Sequence, residues 1–171
     1  FLRDGKGSVA IEFAALAIPF SLLVFAVLES CISFAAQQMM MNATDTVARE
    51  FRTGQLRPAD VEKDKQLVWN KICEKIQILV SSDCPGLVID LKSHATFAEA
   101  AAVRIKFTSD HDIDTTGFSV EPGTSGTKNQ LRVFYRWPVM TDFMRKSMSN
   151  LKDGKTLHYA SVTWQNEPFD D

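Results

Sequence analysis

The sequence predicts an α+β protein: a long N-terminal transmembrane and amphipathic helix, plus a second helix packed on a small antiparallel sheet. Three observations carry this expectation. Gly7 to Ala36 reads GSVAIEFAALAIPFSLLVFAVLESCISFAA, apolar almost throughout, with Glu12 and Glu29 its only charges. Between Val61 and Val80, apolar residues return at helical spacing. Beyond Gly86 the period changes from helical to alternating.

The apolar run is long enough to cross a bilayer, since a helix needs ~20 such residues to span the hydrocarbon core. The segment before it, FLRDGKG, carries Arg3 and Lys6 against Asp4. Basic residues on that flank predict a cytoplasmic N-terminus, with the polar part outside the inner membrane. A secretory signal peptide is the rival reading, and it fits less well. The apolar run continues past Leu28, and no A-x-A site ends it. The helix is expected to outlast the membrane. Ala43, Val47, Ala48 and Phe51 recur at spacings of three and four, with Asp45, Arg49, Glu50 and Arg52 between them. Arg49 and Arg52 suit a last turn, and Gly54 a C-terminal stop. A helix from Ser8 to Thr53 measures ~68 Å. Pro19 falls inside it, removes one backbone hydrogen bond and predicts a local kink or loosening.

Pro58 and Asp60 suit the start of the second helix. Val61, Val68, Ile72, Ile76, Leu79 and Val80 form its apolar stripe, while Lys63, Lys65, Lys71, Glu74 and Lys75 take the other face. Ser81-Ser82-Asp83 and Pro85-Gly86 end it in a turn. Four strands follow by alternation: Leu87–Leu91, Val103–Phe107, Leu131–Trp137 and Tyr159–Trp164. Phe97–Ala102 is ambiguous, Ser109–Asn129 reads as a long loop, and Met140–Met148 suits a short helix. The expected organisation is a cytoplasmic leader over 1–7, a transmembrane and extended helix over 8–53, and a periplasmic α+β domain over 54–171.

The chain has 171 residues and a formal net charge of −2, with no long basic stretch. That speaks against nucleic acid as a partner, which wants a basic face. With leader and long helix set aside, roughly 115 residues remain, enough for one small core. Of the three cysteines, Cys31 lies in the apolar run, where a small packing role suits it. Cys73 and Cys84 lie in the polar part. With that part outside the cytoplasm a Cys73–Cys84 disulfide is expected, two unpaired structural thiols being the alternative. No C-x-x-C or second pair of ligands supports a redox or zinc site.

Asp110, Asp112 and Asp114 fall at positions one, three and five of a calcium-loop register, with Glu121 at twelve. Thr115 stands where that loop wants Gly, and the flanks are not helical, so a solvated acidic loop is the favoured reading. His94, His111 and His158 show no metal-ligand spacing, and no phosphate loop, dinucleotide fingerprint or nucleophile elbow occurs. Neither a catalytic set nor a cofactor is expected.

Glu12 is the costly residue of the apolar run, since a carboxylate inside a span costs ~2.5–3.5 kcal/mol on insertion scales. At the helix start, near headgroups and the N-terminal dipole, it costs less. The alternative is a positive partner. Gly7-Ser8-Val9-Ala10-Ile11-Glu12-Phe13 resembles the processing site of type IV prepilins. Glu12-Phe13 is similar to the tight-adherence (Flp) branch, and within it to TadE-like pseudopilins. Weaker similarities extend down the chain: Glu29, Gln37-Gln38, Arg52-Thr53-Gly54-Gln55, Cys73 with Cys84, Tyr135-x-Trp137-Pro138 and Asn166-Glu167-Pro168-Phe169.

The resemblance implies cleavage between Gly7 and Ser8 by a prepilin peptidase, and assembly through Glu12 and Phe13. Glu12 would pair with the new amine of a neighbouring subunit. The implied partners are other pilin and pseudopilin subunits, the peptidase, an inner-membrane pilus assembly platform and the lipid bilayer. A thiol at Cys31 has no counterpart in this picture. Two rival classes stay open: a single-span membrane-anchored binding protein outside any filament, with calcium as a possible ligand, and an anchored periplasmic enzyme.

Overall fold

The computed structural model describes residues 6–170, with side chains from Val9 onward. Phe1–Gly5 of the expected leader therefore lies outside the described residues, and of Lys6, Gly7 and Ser8 only the backbone is described. Helix α1 runs Lys6–Arg52, 47 residues without interruption. At 1.5 Å per residue it measures ~70 Å. It passes through Pro19, whose missing N–H costs one hydrogen bond to the turn before it.

The two halves of α1 behave differently. From Val9 to Leu28 no side chain is buried. From Glu29 onward one stripe is: Glu29, Ser33, Ala36, Met40, Ala43, Thr44, Val47, Ala48 and Phe51. Those positions step by three and four, the spacing that keeps one helix face against one surface. Phe51 closes the stripe against Trp164, with ring centroids 6.5 Å apart.

The expected second helix is two: α2, Pro58–Lys63, and α3, Leu67–Ile76. Asp64 causes the break. It is extended (φ −133°, ψ 95°), and its carboxylate accepts the Gln66 N–H at 2.9 Å. A short side chain bonded two residues on offers the backbone an alternative to the helix. Val68, Ile72 and Ile76 still form the buried stripe of α3. Cys73, on that helix, is disulfide-bonded to Cys84 in the following turn, with Cα atoms 5.8 Å apart.

The sheet comprises β1 (Leu87–His94), β2 (Val120–Glu121), β3 (Lys128–Pro138) and β4 (Lys155–Gln165), in the order β2-β1-β3-β4. β1, β3 and β4 are antiparallel, with Leu91 opposite Leu131 and Leu131 opposite Val162. β2 runs parallel to β1, so the sheet is mixed rather than antiparallel. The chain between β1 and β2 contains helix α4 (Phe97–Ala102) and a long loop, enough length to return in the same direction.

Val103–Phe107 is not a strand of this sheet. It bends back on its own neighbours: Phe107 bridges Ile113, and the Asp114 N–H donates to the Lys106 carbonyl at 2.9 Å. Its alternation reflects Ile105 packing over the second face of the sheet, under no ladder. Helix α5 (Asp142–Met148) links β3 to β4.

Alternation along β3 gives the molecule two cores. Leu131, Val133, Tyr135 and Trp137 join α1 and α3 in the main one. Phe134 turns the other way, joining Ile113 and Leu151 beneath the 103–127 segment. A cross-strand pair, Asp90 and Arg132, shares that second face. Both are buried; Arg132 Nε donates to Asp90 Oδ2 at 3.1 Å, and the guanidinium lies 5.2 Å over the Phe118 ring.

Candidate functional site

Helix α1 presents two surfaces: a first half, Val9 to Leu28, with no buried side chain, and a second half that grips the sheet. Glu12 and Phe13 lie on the first, and Phe13 is 72% exposed. A side chain this apolar facing outward all round a helix is stable only where lipid or another helix replaces water.

The grip begins at Glu29. Its carboxyl is 3% exposed and accepts the Met140 N–H at 2.5 Å, the Thr141 N–H at 3.2 Å and the Thr141 hydroxyl. Thr141 is the N-cap of α5, so this side chain from α1 satisfies backbone donors at the start of another helix. The α5 segment is thereby fastened to α1 at the point where the exposed half ends.

One turn on, Ser33 Oγ lies 3.0 Å from His158 Nε2 on β4. A further turn on, Gln37 Nε2 donates to the Tyr159 carbonyl at 2.7 Å. Glu29, Ser33 and Gln37 thus form a polar line at four-residue spacing, each with a partner on the sheet or its connection. The His158 ring stacks on Trp137, centroids 5.2 Å apart at 13°. Burial pushes its pKa down to about 4, so the imidazole is neutral at neutral pH.

A serine 3.0 Å from an imidazole is one half of a nucleophile–base arrangement. Here burial makes the ring a poor base, and among the described residues no carboxyl is hydrogen-bonded to its other nitrogen. The contact is a structural one. A hollow of about 500 Å³ is open and lies elsewhere, between Pro58 and Val61 of α2 and Val120 to Pro122. Nothing positive points to catalysis.

The far end of α1 is also fastened. The Glu167 N–H donates to the Arg52 carbonyl at 2.9 Å, and the Phe169 ring covers Gly54 so closely that a Cβ there would come within 2.8 Å. Gly54 also has φ +71°, so both space and backbone require glycine. Asn166 accepts from the Trp164 indole at 2.7 Å and donates to the Gly123 and Thr124 carbonyls at 2.9 Å. Two of the weaker sequence similarities, Arg52–Gln55 and Asn166–Phe169, therefore meet in space.

The calcium-like acids do not converge. Asp112 takes the Arg136 guanidinium at 2.8 Å and Lys152 at 3.5 Å. Burial opposes its ionisation, but the Arg136 hydrogen bond, the Ile113 N–H and the two cations outweigh it and hold its pKa below the usual 3.8. Asp114 is held down by hydrogen bonds from Thr116. Asp110 is exposed, and Glu121 lies in β2 opposite Lys92. Among the described residues no group of three or more acids, histidines or cysteines forms a metal site.

The partners of Glu29, Ser33, Gln37 and His158 were not read from the sequence. The available signal was the polar line itself, three hydrogen-bonding residues at positions i, i+4 and i+8 of one helix. The comparisons add one finding. Residues 7–49 match the family model described as TadE-like protein. The match ends within α1 and covers both its exposed half and most of its gripping half. No curated protein matches, and no solved structure does.

Proposed function

We propose that this chain is a minor pseudopilin precursor that serves the biogenesis of a tight-adherence pilus. The match of residues 7–49 to a TadE-like family model is the observation that carries the reading, because the matched segment is the helix whose first half has no buried side chain. A helix long and apolar enough to span a membrane, its most apolar stretch unburied, suits storage in the bilayer followed by packing against other pilin helices.

On this reading the leader ends at Gly7 and a prepilin peptidase frees the amine of Ser8. The Glu12 carboxyl then aligns subunits by meeting that amine on a neighbour, and Phe13 packs beside it. A polar pairing in an apolar interface specifies register more than it stabilises. The outer domain stands in the periplasm and meets other pilin and pseudopilin subunits or the inner-membrane assembly platform. The N-terminal residue of the protein recovered from membranes tests this. Ser8 is expected where the peptidase is active, and the uncut leader where it is deleted. An intact leader in the presence of active peptidase would overturn the reading.

A further inference from the structure

We infer that α5 is a membrane-surface element: Met140 and Phe143 enter the boundary of the bilayer that holds α1, and Arg145 and Lys146 meet its anionic headgroups. The level is set by α1. Val9 to Leu28 spans ~30 Å at the helical rise, the thickness of a hydrocarbon core. Glu29 is the next residue, and its carboxyl holds the N–H groups of Met140 and Thr141. Met148, at the other end of α5, lies 3.9 Å from the Ser30 hydroxyl through its sulfur. The whole of α5 is thus pinned within a turn of the end of the bare segment.

Its sides differ as a surface helix requires. Met144 and Met148 are half-buried against the domain. Met140 and Phe143 are 61% and 63% exposed, large apolar groups with no cover. Beside them in the chain stand Arg145 and Lys146, against Asp142, and Lys155 lines the same hollow as Met140. Arg145 is paired with Asp142 at 2.7 Å in an exposed contact, which is cheap to exchange for a phosphate. Apolar side chains interleaved with basic ones are what a headgroup layer accepts. A seven-residue helix could not bind a membrane alone, but α1 delivers this one to the surface, so little intrinsic affinity suffices. The effect is to fix the tilt of the domain before assembly.

The inference rests on α1 spanning the membrane, and the test separates the two. The full chain, carrying Cys31→Ser, is reconstituted in vesicles of phosphatidylglycerol or of phosphatidylcholine. A nitroxide is placed in turn at Leu16→Cys, Phe143→Cys and Thr124→Cys, all exposed positions, and its collisions with oxygen and with an aqueous nickel chelate are measured. The expected result is a hydrocarbon signature at 16, and nickel access at 143 several-fold below that at 124. Arg145→Glu with Lys146→Glu should raise access at 143 in phosphatidylglycerol alone. Access at 143 equal to that at 124, with 16 still in hydrocarbon, overturns the surface role and spares the span. Water access at 16 overturns both. Protection at 143 that vanishes on diluting protein in lipid would assign that face to a second copy of the chain and overturn the inference.

Discussion

His158 sits between Ser33 and the Trp137 ring, 6% exposed, and burial lowers its pKa from 6.5 to about 4. Above pH 6.5 the ring is neutral folded and unfolded, so it adds nothing to pH dependence. As pH falls from 6.5 toward 4 the unfolded chain takes up the proton first, and stability is lost across that window. The loss amounts to about 3 kcal/mol, the free-energy equivalent of the displacement. Below about 4 the folded ring titrates as well and the loss levels off. Denaturant titrations from pH 7 to 4 should show this decline in the native chain and a flatter profile in His158→Phe, which keeps an aromatic stack without a titrating nitrogen. Asp112 and Asp114, held below 3.8, lose their contributions only at lower pH. Glu29 is the other residue with a measurable task. Its oxygens receive three donors, and Glu29→Gln would turn an amide N–H₂ toward at least one of them. A cost of about 1–3 kcal/mol is expected. It should appear first as faster hydrogen exchange at Met140 and Thr141, with the amides of β3 unaffected.

The sheet depends on one buried ion pair. Asp90 and Arg132 are register partners on β1 and β3, and Asp90 also accepts the Ser119 N–H at 3.0 Å, which ties in the approach to β2. Removing Arg132 leaves buried Asp90 with only the part-exposed Lys92, at 3.6 Å, as counter-charge. Arg132→Met is expected to cost about 3–5 kcal/mol, while the double replacement with Asp90→Leu should recover much of it. Urea melts of Arg132→Met, Asp90→Leu and the double variant check this, and a double variant that costs the sum of the two single changes would show that the pair is not coupled. The α2–α3 break belongs to the same scale. One carboxylate, Asp64, outcompetes a helical pattern that apolar spacing alone would carry straight through.

The molecule as a whole divides along α1, not between domains in series. Its second half is part of the core of the α+β domain, from Glu29 to Phe51, while among the described residues its first half contributes no buried side chain. Changes confined to the first half should therefore leave the domain's stability alone. Glu12→Gln is expected to leave the thermal melt of the detergent-solubilised protein unchanged, within the usual ±0.5 kcal/mol of surface substitutions, while pilus counts fall. A lowered melt would show that the two halves are coupled.

What could be read from the chain were the features that local physics sets. The apolar run, the Arg-rich last turn and Gly54 place α1 within a residue or two of its end, and alternation places β1, β3 and β4. The stripe Val68, Ile72 and Ile76 names the buried face of α3 for the same reason: periodicity is a property of neighbouring residues. Apart from the local break at Asp64, the features that stayed hidden join residues far apart. The parallel seat of β2, the partner of Glu29 more than a hundred positions away, the burial of Asp90 with Arg132, and the meeting of Arg52–Gly54 with Asn166–Phe169 exist only once the sheet has formed. Alternation at Val103–Phe107 was misleading because half-burial on a packed face leaves the same trace as a strand. Whether a polar group on an apolar face becomes a cost or a fastening depends on what the fold brings opposite it. For Glu29 the answer is the chain entering α5, at Met140 and Thr141, and no local pattern could supply it.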